Sequence, residues 1–152
     1  MEPSGLAYRA AEKRGTMVID FQTQIFPDAI AAKTIASLGS LAGVKASTDG
    51  TLNGLLTSME KAKVDLSVIM PVVTKPAQFE TINVFARNVN EKYAGKLLSF
   101  GGIHPDCEDY KSKLDEIKAL GLPGIKIHPD YQQVMIDDVR YMNIIEYASE
   151  LG

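Results

Sequence analysis

Two pairs of polar residues have the spacing that chemistry on a strand requires. Gln22 and Gln24 lie two apart in the apolar run Met17 to Gln24, and Lys126 and His128 lie two apart in Ile125 to His128. Residues i and i+2 of an extended strand point the same way. Asp20, Gln22 and Gln24 are therefore expected on one face with Ile19 and Phe21 on the other, and Lys126 and His128 opposite Ile125 and Ile127. Lys126 can hold a substrate carboxylate as a point charge, or pair with Asp20. His128 can stand behind a bound group or touch a substrate, or it can cap the strand end through its ring nitrogens. His104 precedes Pro105, which forces the residue before it to be extended, so it reads as a loop residue. Cys107 falls in an expected exposed turn beside Asp106 and Glu108, whose charges raise a thiol pKa, and it is rejected as a nucleophile.

These residues need strands and helices to hold them. Met17 to Gln24, Leu66 to Val73, Leu97 to His104 and Ile125 to His128 read as strands bounded by Gly, Pro or Asp. Between them lie helical stretches: Pro27 and Asp28 to about Leu38 before Gly39, Leu52 to Ala62, Phe79 to Tyr93, Asp109 to Leu120 before Gly121, and Asp137 to Leu151. The order β-α-α-β-α-β-α-β-α predicts parallel strands joined by right-handed crossovers. Residues 17–152 divide among four βα units at about 34 residues each, close to the roughly 31 of one eighth of a (βα)8 barrel. Polar groups near the carboxyl ends of strands also suit a barrel, where the chemistry sits at that end. The expected fold is α/β: half a TIM barrel, four parallel strands with their helices. Residues 1–16, with Leu6 to Arg14 as a weakly apolar helix former, read as an extension or leader, or as a docking helix; they lack the apolar core of a secretory signal.

At this point the motifs carry a family resemblance. Val18-Ile19-Asp20-Phe21-Gln22-Thr23-Gln24-Ile25-Phe26-Pro27 resembles the first strand of the amidohydrolase superfamily, in its amidohydrolase-related branch of metal-dependent hydrolases and decarboxylases. The similarity continues through Asp65 to Val72, Gly101-Gly102-Ile103-His104-Pro105 and Gly124-Ile125-Lys126-Ile127-His128-Pro129, and so covers nearly everything after Thr16. The resemblance implies histidines at positions 22 and 24 that bind one divalent metal, such as zinc, and thereby activate a water. Here both are glutamine. An amide nitrogen has no available lone pair and its neutral oxygen is a weak ligand. The pair reads as altered ligand positions, inherited from a decayed enzyme or changed deliberately, rather than as two residues on a wet face. The family's later ligands, a histidine on the fifth strand and an aspartate on the eighth, would lie beyond Gly152. No cofactor is expected in this chain.

Composition narrows the partners. The chain has 152 residues, 16 basic against 19 acidic, and a net charge of -3, so no positive field is available for nucleic acid or an anionic membrane. Tyr110, Tyr131, Tyr141 and Tyr147 could stack bases, but Asp109, Asp115, Glu116, Asp137 and Asp138 surround them. No apolar run is long enough for a membrane span, and one cysteine makes no internal disulfide, which suits a soluble cytoplasmic protein. Glycine-rich nucleotide motifs, a nucleophile elbow and zinc-finger spacings are absent from the sequence. Two functions are expected from these observations. One is an inactivated or fragmentary amidohydrolase-type scaffold, whose parent hydrolyses or decarboxylates a small carboxylate-bearing substrate. The other is a non-catalytic, self-assembling half-barrel, natural or engineered. Either leaves two strand edges unpaired, so a homodimer closing an eight-stranded ring is expected. A small anionic ligand is the other expected partner.

Overall fold

The computed structural model describes residues 16–152, so the expected extension lies outside the described residues apart from the exposed Thr16. The chain forms two compact units, one ending at Ile69 and one running from Met70 to Gly152.

In the first unit, β1 (Ile19–Thr23) pairs in parallel with β2 (Leu66–Ile69), and α1 (Asp28–Ala42) and α2 (Leu52–Ala62) form the crossover. Helix α1 starts after Pro27 with Asp28 in its first turn, where a carboxylate meets the positive end of the helix dipole. It runs through Gly39, the expected stop, and ends at Gly43, whose φ of 66° is left-handed. Gly39 serves a different purpose: a Cβ there would stand 2.8 Å from the Val44 carbonyl oxygen as the chain folds back over the helix end. Helix α2 has the expected bounds. Thr51 caps it by accepting the Gly54 N–H at 2.9 Å, and Lys63 ends it at a φ of 57°. All four residues of β2 are buried.

Strand β1 departs from the expected alternation. Asp20 pairs with Ser67 and Thr23 with Ile69, so one extra residue is accommodated between them and strict parity does not carry from Asp20 to Gln24. Ile19 and Phe21, expected against the helices, are 42% and 61% exposed. Asp20 and Gln22 are exposed as well, so neither face of β1 is covered over Ile19–Gln22, and among the described residues the strand has a ladder on one side only.

The second unit contains β3 (Leu97–Ser99), β4 (Gly101–Gly102) and β5 (Ile125–Lys126), with α3 (Phe79–Lys92), α4 (Tyr110–Ala119), the single turn α5 (Pro129–Gln132) and α6 (Val139–Leu151). The run Leu97 to His104 is thus two short strands, interrupted at Phe100, and β4 pairs in parallel with β5. The core joins Phe79, Ala86, Ile103, Leu114, Ile117, Leu122 and Ile144, with Ile125 and Ile127 packed against it as expected. Cys107 belongs to this core, contrary to the expected exposure. Its backbone lies in a turn, with the Cys107 N–H donating to the His104 carbonyl, while Asp106 and Glu108 take the solvent side. Burial is the main reason its thiol pKa is raised.

Two asparagines on α3 replace missing strand partners. Asn83 donates to the Gly102 carbonyl and accepts the Gly102 N–H, both at 2.9 Å. Seven residues on, Asn90 does the same for Ser99. Seven residues is nearly two helical turns, so one face of α3 presents both carboxamides. A Cβ on Gly101 would meet Asn83 Oδ1 at 2.9 Å, which explains a glycine at this strand position.

Core truncation and strand truncation are expected to separate cleanly. Ile103→Ala and Ile144→Ala, at fully buried sites, should each cost about 2–5 kcal/mol in urea unfolding. Phe21→Ala should cost under about 1 kcal/mol.

Candidate functional site

The polar residues that converge do so in the second unit, around α5. His128 precedes Pro129 and caps this single turn, its Nδ1 accepting the Tyr131 N–H at 3.4 Å, and its ring stacks on Tyr131 with centroids 4.1 Å apart and planes 7° from parallel. Gln132 closes the turn and is buried. Its Nε2 donates to the Val73 carbonyl at 2.7 Å and the Ile103 carbonyl at 2.8 Å, and its Oε1 accepts the His128 N–H at 2.9 Å and the Tyr141 hydroxyl at 2.6 Å. One carboxamide, with all four bonding positions used, therefore ties together the segment after Met70, the loop after β4, the loop after β5 and helix α6. Burial raises the pKa of the Tyr141 hydroxyl.

These loops enclose a cleft of about 430 Å³. Thr74, Lys75 and Pro76 line one side, His104 and Asp106 another, and Tyr131, Gln132 and Gln133 the third. Gln133 holds a left-handed φ of 54°, which an L side chain adopts only at a cost. Thr74 is fixed by its N–H and hydroxyl, both donating to Gln78 Oε1. His104 is in a loop, as its proline predicts, yet it is only 6% exposed. Its Nδ1 accepts the Asp106 N–H at 3.2 Å. Burial is the main influence that lowers its pKa; Arg140 acts in the same direction and the Asp106 carboxylate opposes both. Arg140 bonds Asp106 and also Asp138, the latter at 2.8 Å through two nitrogens, and this holds the Asp138 carboxyl at about 2. A larger hollow, about 530 Å³, lies along α1 in the first unit, but Ala32, Ile35, Ala36 and Gly39 give it no converging polar groups.

The residues singled out by spacing fall in both units. In the first, Gln22 is exposed and Gln24 half-buried, and Asp20 accepts the Gln22 N–H at 3.3 Å rather than pairing with a lysine. In the second, Lys126 is half-buried on β5 and forms no ion pair among the described residues. His128 takes a capping role, but at the start of α5 rather than at the strand end. Among the described residues, no group of three or more His, Cys, Asp or Glu is arranged to hold a metal ion. No helix among them is long and apolar enough to cross a membrane. Spacing did not reveal Gln132, although its signal is visible afterwards: a proline-initiated turn with a carboxamide four residues after the cap.

Solved structures share this fold. The 5-carboxyvanillate decarboxylase of Novosphingobium aromaticivorans, bound to manganese and 3-methoxy-4-hydroxy-5-nitrobenzoic acid, matches 93% of this chain with 50% of its own, at a TM-score of 0.68 and 15% identity. A second structure of the decarboxylase from that organism, again with manganese and the nitrobenzoic acid, gives 0.65 at 14% identity over 96% of this chain and 51% of the other. The 5-carboxyvanillate decarboxylase of Sphingomonas paucimobilis gives 0.57 at 14% identity over 88% and 49%. The chain spans about half the length of these proteins. No family model and no curated protein matches the sequence.

Two outcomes follow from the site geometry. Gln132→Leu leaves two carbonyls, an N–H and a hydroxyl without their partner and should cost about 3–5 kcal/mol, read by urea unfolding. The lowered His104 pKa means the unfolded chain takes up this proton first as pH falls. That part of the stability is complete above the ordinary value of 6.5 and is lost as pH drops through it toward the lower folded value. His104→Gln should therefore flatten the change in unfolding free energy between about pH 7.5 and 5.5.

Proposed function

We propose that this chain is a half-barrel of the amidohydrolase type whose first strand no longer supplies a metal site. Its parent chemistry is hydrolysis or decarboxylation of a small carboxylate-bearing substrate. The fold match to a manganese-bound decarboxylase, over 93% of this chain, carries the reading. The donor chemistry sets its limit. Zinc or manganese prefers imidazole or carboxylate, and the residues at the two strand positions, Gln22 and Gln24, offer only neutral amide oxygens. They do not fit the metal, so no step is derived through one. What the chain's residues retain is the capacity to bind. The Lys126 ammonium attracts an anion's carboxylate, and His128, tied through Nδ1 to the Tyr131 N–H, presents a fixed ring.

A second reading is favoured by β1, where Ile19 and the preceding Val18 are exposed and the strand has one ladder partner among the described residues. In it, a non-catalytic half-barrel associates with a second copy, covering those side chains.

Metal analysis and turnover assays address the first reading. After incubation with zinc or manganese and dialysis, the chain should retain far less than one ion. Gln22→His with Gln24→His should raise metal affinity at least tenfold, without chelator-sensitive turnover, because a catalytic site takes about three protein ligands. Chelator-sensitive decarboxylation by the unmodified chain would refute the reading. Light scattering addresses the second, which predicts about twice the 16.5 kDa chain mass and its return to one chain in Val18→Lys with Ile19→Lys.

A further inference from the structure

We propose that the cleft between Lys75, His104 and Tyr131 binds a small monocarboxylate with a compact apolar body, its carboxylate held by the Lys75 ammonium and the His104 Nε2–H. The inference is independent of Gln22, Gln24 and any metal, and Lys126 does not line this cleft.

Four observations converge on it. First, the hydrogen-bond network fixes the His104 tautomer: Nδ1 accepts the Asp106 N–H, so the ring proton of the neutral form is on Nε2. That donor has no protein acceptor among the described residues and is not among the atoms sealed from solvent, so it opens on the cleft that the largely buried ring lines. A ligand oxygen would take the place of water on this donor. Secondly, Lys75 is exposed at the cleft and forms no ion pair among the described residues, whereas the neighbouring carboxylate, Asp106, is already bonded by Arg140. One free cation and one neutral donor match a single negative charge. A dianion such as phosphate would bring a second negative charge with no cation to meet it, so the carboxylate is preferred.

Thirdly, Pro76 and the Tyr131 ring give the cleft apolar surface, and the stack on His128 holds that ring in place. The volume of about 430 Å³ is within the range of small-molecule sites. Fourthly, the three walls are cross-linked by Gln132, while Gln133 at the edge holds a conformation that costs energy. Such strain is concentrated at ligand sites, where the surrounding structure enforces it. A cleft held this way does not have to be ordered by its ligand.

The chain has two histidines, so the nitrogen-15 spectrum of the imidazoles contains only His104 and His128. Isobutyrate and inorganic phosphate, titrated at matched ionic strength into the full chain near pH 7.5, serve as probes. Isobutyrate is expected to move the His104 Nε2 resonance along a saturable curve, with a Kd on the order of 1 mM for so small a ligand. Phosphate should bind more weakly. Lys75→Gln should weaken isobutyrate binding at least tenfold, Lys75→Arg should retain it, and Lys96→Gln, at an exposed lysine that does not line the cleft, should leave it within twofold. A linear drift, an equal response to phosphate, or an unchanged affinity in Lys75→Gln would overturn the proposal. So would a response abolished by Lys126→Gln and not by Lys75→Gln.

Discussion

The second unit depends on how short strands satisfy their backbone groups. Strands of two or three residues cannot supply one another with a full ladder, yet Ser99, Gly101, Gly102 and Ile103 are all buried. A buried peptide group without a partner costs about 1–3 kcal/mol, more than a single well-made hydrogen bond contributes. Carboxamides meet the demand. Asn90 and Asn83 each give one donor and one acceptor to a strand residue, and Gln132 gives two donors to loop carbonyls. An amide side chain suits this use because it offers the same pair of groups as a peptide and carries no charge to desolvate.

The cleft is a product of the same constraint. Gln132 reaches both Val73 and Ile103 only because α5 is a single turn, and it is a single turn because the His128 cap, Pro129 and the left-handed Gln133 bound it on both sides. The hydroxyl of Tyr141 then fastens α6 to the same carboxamide, which brings Arg140, one residue earlier, against Asp106. The pairing of Arg140 with Asp106 and Asp138 is exposed, so its contribution to stability is small. Its larger consequence is electrostatic, because it blunts the negative charge beside His104 and leaves Lys75 as the free charge at the rim.

Much of the helical framework was legible in the sequence, since capping and periodicity are local properties. Helix α2 has the bounds read for it, Leu52–Ala62, and Ile125 and Ile127 pack as their alternation implies. What escaped was set by groups distant in the chain. Nothing near Phe100 announces that its run divides into two strands; the division goes with the asparagines 10 or more residues earlier on α3. Parity did not place Ile19 and Phe21 in the core, because spacing says which residues share a face and not whether anything covers it. Cys107 was misplaced because charged neighbours in sequence say where the backbone is wet, not where one side chain points. The emphasis on Gln22, Gln24, Lys126 and His128 followed from i, i+2 spacing, a rule that applies to strands. Gln132 lies on a turn, and its four partners are spread over 69 residues, from Val73 to Tyr141.

The glutamines of this chain show how little side-chain type alone decides. Gln22 is exposed on β1 and Gln24, one residue past its end, is half-buried; neither side chain bonds another among the described residues, so water can satisfy them. At Gln132 the same functional group is buried, fully bonded and joined to four segments. Every bond of that frame lies within residues 70–152, and none runs through β1. Gln22 and Gln24 can therefore change without withdrawing a hydrogen bond from the cleft. The two sets of glutamines are in this sense separable, because the bonds that frame the cleft are made by Gln132 and none by Gln22 or Gln24 among the described residues.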